Sequence, residues 1–240
     1  VLSRRQRQMC IRDRANYVCG HSLGEYTAMT VAGVFSLSEC ANLLRLRGKE
    51  MQIAVPINKG AMAALIGVDI ITTKKIIDNV ASIGVCNIAN DNADGQVVIS
   101  GDKLAVEKAI EISKEYGVKR SVVLPVSAPF HCSLMYPAQI KMEQALNDLN
   151  FDTPSVPIIS NINALPEKNV TILKQNLIDQ VTGTVKWRET MILADTLGVK
   201  VILELGNGKI LTGIAKRMVK KANTINIETV SYTHLTLPTT

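Results

Sequence analysis

The 240-residue sequence predicts an α/β protein: a large α/β-hydrolase-like domain with a parallel sheet, carrying an inserted ferredoxin-like βαββαβ unit. Three observations predict it. Gly20-His21-Ser22-Leu23-Gly24 lies between a short strand-like segment, residues 16–19, and an Ala-, Met- and Val-rich segment, residues 26–34, so the chain reads strand, tight turn, helix. Residues 61–124 alternate strand and helix patterns in the order βαββαβ, at a natural size for that unit. Residues 199–205 form an apolar run that suits a buried parallel strand.

Taken in order, the elbow is followed by a helix over residues 38–51 and then an apolar run over 61–68. A helix over 72–81, a strand over 85–89, a turn-rich segment over 90–95 and a strong strand over 96–100 come next. A helix over 103–116 and a strand over 119–124 complete the small unit; Leu104, Val106, Ala109, Ile110 and Ile112 give that helix its packing face. Beyond it the pattern predicts a helix over 133–149, a strand over 156–162, helices over 173–181 and 187–197, and the strand over 199–205. Gly206-Asn207-Gly208 closes that strand, and a helix over 211–221 follows. The expected division is residues 15–58 with 125–230 as the large catalytic domain and 59–124 as the insertion, with the active site in the cleft between them.

Composition excludes several classes. The net charge is +6, but residues 1–14 alone carry +4, which leaves a nearly neutral body. Aromatic content is only 4% and no basic stripe interleaves with stacking residues, so nucleic-acid binding is not expected. No apolar run approaches the roughly 18 residues of a membrane span, and no signal-peptide core is present, which predicts a cytoplasmic protein without a membrane partner. The five cysteines, Cys10, Cys19, Cys40, Cys86 and Cys132, are scattered and form no C-x-x-C pair, so neither a disulfide framework nor a metal site is expected. Residues 1–14 and 231–240 lack periodicity and resemble translated sequencing-adapter DNA; both are expected to be non-native or disordered.

The elbow places Ser22 at the tip of a sharp turn, where Gly20 and Gly24 are expected to remove Cβ atoms that would clash. The Leu23 N–H then sits at a helix N-terminus, where unpaired donors and the helix dipole favour an oxyanion. That is a site for acyl chemistry. A serine nucleophile needs a base, and the body holds two histidines, His21 and His131. His21 precedes the serine and should point away from it, which leaves His131, where the chain re-enters the large domain. A buried histidine satisfied by backbone is the competing reading of that residue.

Gly20 to Tyr26, Arg47-Gly48-Lys49, Asn90 to Gly101, Pro129 to Met135 and Glu204 to Gly213 together resemble the malonyl-CoA:acyl carrier protein transacylases of bacterial fatty-acid synthesis. The resemblance implies that Ser22 carries the malonyl group as an ester and that His131 acts as base and then acid. It implies that the backbone carbonyl of Gln180 orients the histidine, although Gly183-Thr184 stand where a Ser-Pro or Asn-Pro pair is common. It makes Arg47 the clamp for the malonyl carboxylate, a task suited to a planar guanidinium; read from its own neighbours, Arg47 belongs to the solvated side of a helix with Arg45 and Lys49. Phe130 is expected to narrow the pocket beside the acyl carbon and favour malonyl over α-methylated groups. The implied partners are malonyl-CoA as substrate and an acyl carrier protein, with no cofactor, on a monomeric enzyme. The family also carries a Gly-Gln-Gly-Ser-Gln turn ahead of the elbow, which supplies a second oxyanion N–H. That motif is not among these 240 residues, so low activity is expected of the chain as it stands.

Two rival readings share these residues. A serine hydrolase or thioesterase uses the same elbow but places an acid before a late histidine and excludes charge from its acyl pocket. A non-catalytic module would dock acyl carrier protein through the basic stretch Lys209, Lys216, Arg217, Lys220 and Lys221.

Overall fold

The computed structural model describes residues 15–228, so the expectations for residues 1–14 and 231–240 lie outside the described residues. β1 (Val18–Cys19) turns through Gly20-His21-Ser22 into α1 (Leu23–Ala32). Gly33 ends that helix at φ 85°, a left-handed position that glycine adopts without Cβ strain. α2 (Leu37–Ile53) starts on a capping box, in which Ser36 Oγ accepts from the Glu39 N–H and the Glu39 carboxylate accepts from the Ser36 N–H.

The next six elements are β2 (Gly60–Ile66), α3 (Ile70–Asp78), β3 (Cys86–Ala93), β4 (Gln96–Asp102), α4 (Lys103–Ser113) and β5 (Arg120–Val123). The four strands form one antiparallel sheet in the order β3-β4-β2-β5. Alternation sorts its faces. Ala63, Leu65, Cys86 and Ile99 bury against α3 and α4, while Met62, Ala89 and Val98 face the other way and pack against Phe130. Residues 90–92 are strand rather than turn. Two register shifts let β3 bulge and continue, and the Asp91 N–H pairs with the Val185 carbonyl outside the sheet.

α5 (Tyr136–Asn147) follows a short 3₁₀ turn, and then come β6 (Ile158–Ile159), β7 (Pro166–Glu167) and α6 (Val170–Gln180). The principal core lies between α1, α2, α5 and α6, with Tyr26, Met29, Met51, Met142, Leu146 and Leu177 fully buried in it. α7 (Trp187–Thr196), β8 (Val201–Leu205), α8 (Ile210–Met218) and β9 (Asn223–Ile227) complete the described chain around a second cluster that includes Trp187, Met191 and Ile214.

Among the described residues the expected parallel sheet is two small sheets. β1 pairs parallel with β6, which pairs antiparallel with β7; β8 and β9 pair parallel with each other. The strand expected over residues 156–162 contracts to Ile158–Ile159. The reason is a tertiary contact: beyond Ile159 the backbone leaves the ladder, and the Asn161 N–H goes to the Glu25 carboxylate instead. β8, expected to be buried, is half exposed, with Leu205 at 69%, because its described partner is β9 alone. No helix among the described residues is long and apolar enough to cross a membrane.

Candidate active site

Ser22 sits at φ 51° and ψ −105°, a backbone conformation that costs a non-glycine residue about 1–3 kcal/mol. The turn is held from outside. Its N–H donates to Asn161 Oδ1 at 2.7 Å, its carbonyl accepts from Gln180 Nε2 at 3.1 Å, and Asn161 Nδ2 donates to the preceding Gly20 carbonyl at 2.7 Å. Of the two elbow glycines, only Gly20 is sterically required. A Cβ there would strike the Gly24 carbonyl and lie 2.6 Å from the Glu25 nitrogen, whereas a Cβ on Gly24 would meet nothing within 4 Å. The clash expected at Gly24 is therefore absent; its side-chain direction opens outward.

Ser22 is half-buried, and its Oγ lies 2.7 Å from His131 Nε2. His131 Nδ1 lies 2.8 Å from the Gln180 carbonyl, which accepts only, so the proton is on Nδ1 and Nε2 is free to take the serine proton. His131, like Ser22, has a positive φ, 57°. Burial, and next the nearby Arg47 charge, pull the His131 pKa down to about 3, against the opposing pull of the Gln180 carbonyl. The imidazole is therefore neutral across the ordinary pH range, with Nε2 open to accept a proton. His21 points away from Ser22, bonded to Asn92 at 2.8 Å and tilted against the Trp187 ring.

Arg47 is not on the solvated side of α2. It is 7% exposed, while Arg45 and Lys49 face water. Its Nη2 donates to Ser22 Oγ at 3.0 Å and to Gln180 Oε1 at 3.1 Å. Its Nε is buried without a partner, and no carboxylate within the described residues forms a salt bridge with it. Leu23 opens α1, and its N–H has no acceptor among the described residues. Phe130 is half-buried where the principal core meets the Met62, Ala89 and Val98 cluster, next to His131 in sequence.

The structure thus brings Ser22, His131, Arg47 and Gln180 into one hydrogen-bonded group and places Leu23 at its edge. All four come from outside the four-stranded sheet; from that unit Asn92 stands behind His21, and Asn87 accepts from Ser133 N–H at 3.0 Å. A cavity of about 800 Å³ lined in part by Lys74, Asn87, Ser133 and Thr184 adjoins the His131 and Gln180 segments but includes none of the four. At Gly183 a Cβ would lie 2.5 Å from Ile162 Cδ1 and 2.8 Å from the Asp179 carbonyl, so glycine is what lets this segment close while Gln180 reaches His131.

Two residues of the group escaped the sequence reading. Glu25 is fully buried, and its Oε2 accepts from Gln180 Nε2 at 2.6 Å and from the Asn161 N–H at 3.1 Å. Burial pushes its pKa up to about 7 despite those bonds. Asn161 carries the only available signal, an asparagine interrupting an apolar strand pattern; Glu25 looks like an ordinary first-turn acid.

Comparison with known proteins gives the family of this chain. The acyl transferase domain family matches residues 10–233. A malonyl CoA-acyl carrier protein transacylase of Escherichia coli K12 is 42% identical over 202 residues, which are 84% of this chain and 65% of that protein. This chain therefore spans slightly less than two thirds of that relative's length. A crystal structure of an acyl-carrier-protein-S-malonyltransferase from Bartonella henselae superposes with a TM-score of 0.88 at 47% identity, covering 92% of this chain and 70% of that one. A malonyl-transacylase solved in complex with its type II polyketide acyl-carrier protein matches with a TM-score of 0.88 at 37% identity, over 94% and 74% of the two chains. Because the family match spans residues 10–233, most of its length, this chain belongs to the acyl transferase domain family.

Proposed function

We propose that this chain carries the chemistry that moves a malonyl group from coenzyme A to the phosphopantetheine thiol of an acyl carrier protein. The observation that carries the reading is Arg47: a buried guanidinium, 3.0 Å from Ser22 Oγ, that among the described residues has no carboxylate in direct contact, the buried Glu25 carboxyl reaching it only through Gln180. A buried cation is retained where an anion completes it. An acyl group ending in a free carboxylate does so, whereas a neutral fatty-acyl or acetyl group leaves the charge unmatched. The same residue argues against a hydrolase of neutral esters.

In this reading His131 Nε2 takes the Ser22 proton as Oγ attacks the thioester carbonyl, and the Leu23 N–H faces the oxyanion. Collapse of the intermediate expels the coenzyme A thiolate, which takes the proton from His131, and leaves a malonyl-serine ester. In the second half the carrier thiol gives its proton to His131 and its sulfur displaces Ser22 Oγ, which recovers the proton. No electron changes hands, so we propose no cofactor. Gln180 fixes the histidine tautomer through its carbonyl, and Phe130 limits substituents at the α-carbon; equal specificity constants for malonyl and methylmalonyl thioesters would remove the latter role. The exposed Lys209, Lys216, Arg217, Lys220 and Lys221 suit docking of an acidic carrier as one step of this cycle.

We propose also that residues 15–58 and 125–230 are an α/β-hydrolase-like domain and 59–124 a ferredoxin-like insertion, which the β3-β4-β2-β5 order supports; the protein is a cytoplasmic monomer. Intact mass over a prolonged incubation with excess malonyl-CoA, long enough for a slow chain, tests the function: a malonyl adduct, lost in Ser22→Ala, is expected, and none at the longest time would overturn the reading.

A further inference from the structure

We propose that Glu25 is a positioning residue for this reaction: its Oε2 ties together Asn161 and Gln180, which hold the nucleophile turn, the Arg47 guanidinium and the His131 ring. The proposal rests on the acyl-transfer reading above for its kinetic test, though its structural test stands without it.

Glu25 lies in the first turn of α1, three residues after Ser22, and is wholly buried. From its single oxygen Oε2, one bond leads to Gln180 Nε2 and one to the Asn161 backbone. Gln180 then holds three groups at once: Arg47 through Oε1, the Ser22 carbonyl through Nε2 and His131 through its own carbonyl. Asn161 holds the Ser22 N–H and the Gly20 carbonyl. Every group of the site that must be aimed is therefore two bonds or fewer from Glu25 or from the residues it fixes.

A carboxyl is an expensive way to fill a core. A well-packed apolar side chain of similar size would serve stability as well or better, so the group is explained by what it accepts rather than by what it fills. Among the described residues its second oxygen, Oε1, makes no hydrogen bond, although the Ser160 hydroxyl lies beside the carboxyl and lowers its pKa. A proton on Oε1 leaves both bonds at Oε2 intact, and glutamine reproduces that acceptor in the same place. The Ser160 hydroxyl, beside the carboxyl, is available to the glutamine amide. Aspartate, shorter by one methylene, does not reach both donors.

The test compares the native chain with Glu25→Gln, Glu25→Asp and Glu25→Ala by crystal structure and by rapid-quench intact mass, using malonyl-CoA and acetyl-CoA as acyl donors. A displacement of about 1 Å in a catalytic group typically costs about 10²-fold. Glu25→Ala is expected to lose about that much malonylation rate, and its Arg47 Nη2 to leave Ser22 Oγ. Acetylation, which does not use the clamp, falls less, so the malonyl-to-acetyl rate ratio drops about 10-fold. Glu25→Gln restores most of the rate and the ratio; Glu25→Asp resembles Ala, and serves alone if Ala does not fold. Retention of the Arg47–Ser22 contact and of the ratio in Ala or Asp overturns the proposal, as does an equal fall in Gln and Ala with the ratio unchanged. A native chain that gains no malonyl adduct sinks the functional reading instead, and the positions of Gln180 and Arg47 in the variant structures still decide the role of Glu25.

Discussion

The core around Ser22 and the core under the four-stranded sheet are both buried but opposite in content. Under the sheet, the buried polar groups include the hydroxyls of Thr73 and Ser113, each satisfied within its own helix by bonding the Asp69 and Ile110 carbonyls. Around Ser22 the buried groups are Glu25, Arg47, His131, Asn161 and Gln180, and their partners lie far away in sequence. One region spends its burial on packing and needs only local repair of its polar groups. The other assembles charged and amide groups that are stable only together, as expected where pKa values and orientation serve chemistry.

The sharpest way to break this contrast is Ser22→Ala, which is expected to lower acyl transfer by about 10⁴-fold or more while leaving the fold intact. A residual adduct at the native rate, seen by intact mass, would place the nucleophile elsewhere. Arg47→Ala removes charge-assisted bonds of about 1.5–3 kcal/mol and should reduce malonyl transfer about 10- to 150-fold, with acetyl transfer spared or raised. Steady-state kinetics with both thioesters checks it, and an unchanged malonyl rate would end the clamp idea. In the other core, Leu65→Ala should cost about 2–5 kcal/mol of stability through the cavity it leaves. Denaturant melts read that cost, and the acylation rate per folded molecule should not move.

The pH dependence separates the same two regions. His131 has a folded pKa near 3, below its ordinary 6.5, so the unfolded chain binds more protons between those values. Its contribution to stability is present above about pH 6.5 and lost as pH falls toward 3. Glu25 is raised from 4.5 to about 7, so its contribution is present below pH 4.5 and lost as pH rises toward 7. Glu25→Gln should therefore gain stability relative to the native chain at pH 8 but not at pH 4, in thermal melts at the two values. An equal shift at both would remove the buried titration. The acid limb of acylation should lie near pH 3, not 6.5, or at acid unfolding if that comes first. The smallest effect expected is Ser36→Ala at the exposed capping box of α2, about 1 kcal/mol in a thermal melt with no change in acylation.

Much of this was legible in the chain. Short-range physics determined the elbow and the βαββαβ order, because turn sterics and periodicity act within a few residues. The pairing of Ser22 with His131 was readable because so few histidines were available, and the structure sets Ser22 Oγ 2.7 Å from His131 Nε2. Three matters were decided only by tertiary structure. Arg47 shares its helix with Arg45 and Lys49, and periodicity does not say which face meets a buried serine. The strand over 156–162 was cut short because the Asn161 N–H found a carboxylate 136 residues earlier in the chain. Glu25 and Gln180 stand 155 residues apart. Local sequence determines which groups each segment presents; only the closing of long loops decides which of them meet, and the site is made of those meetings.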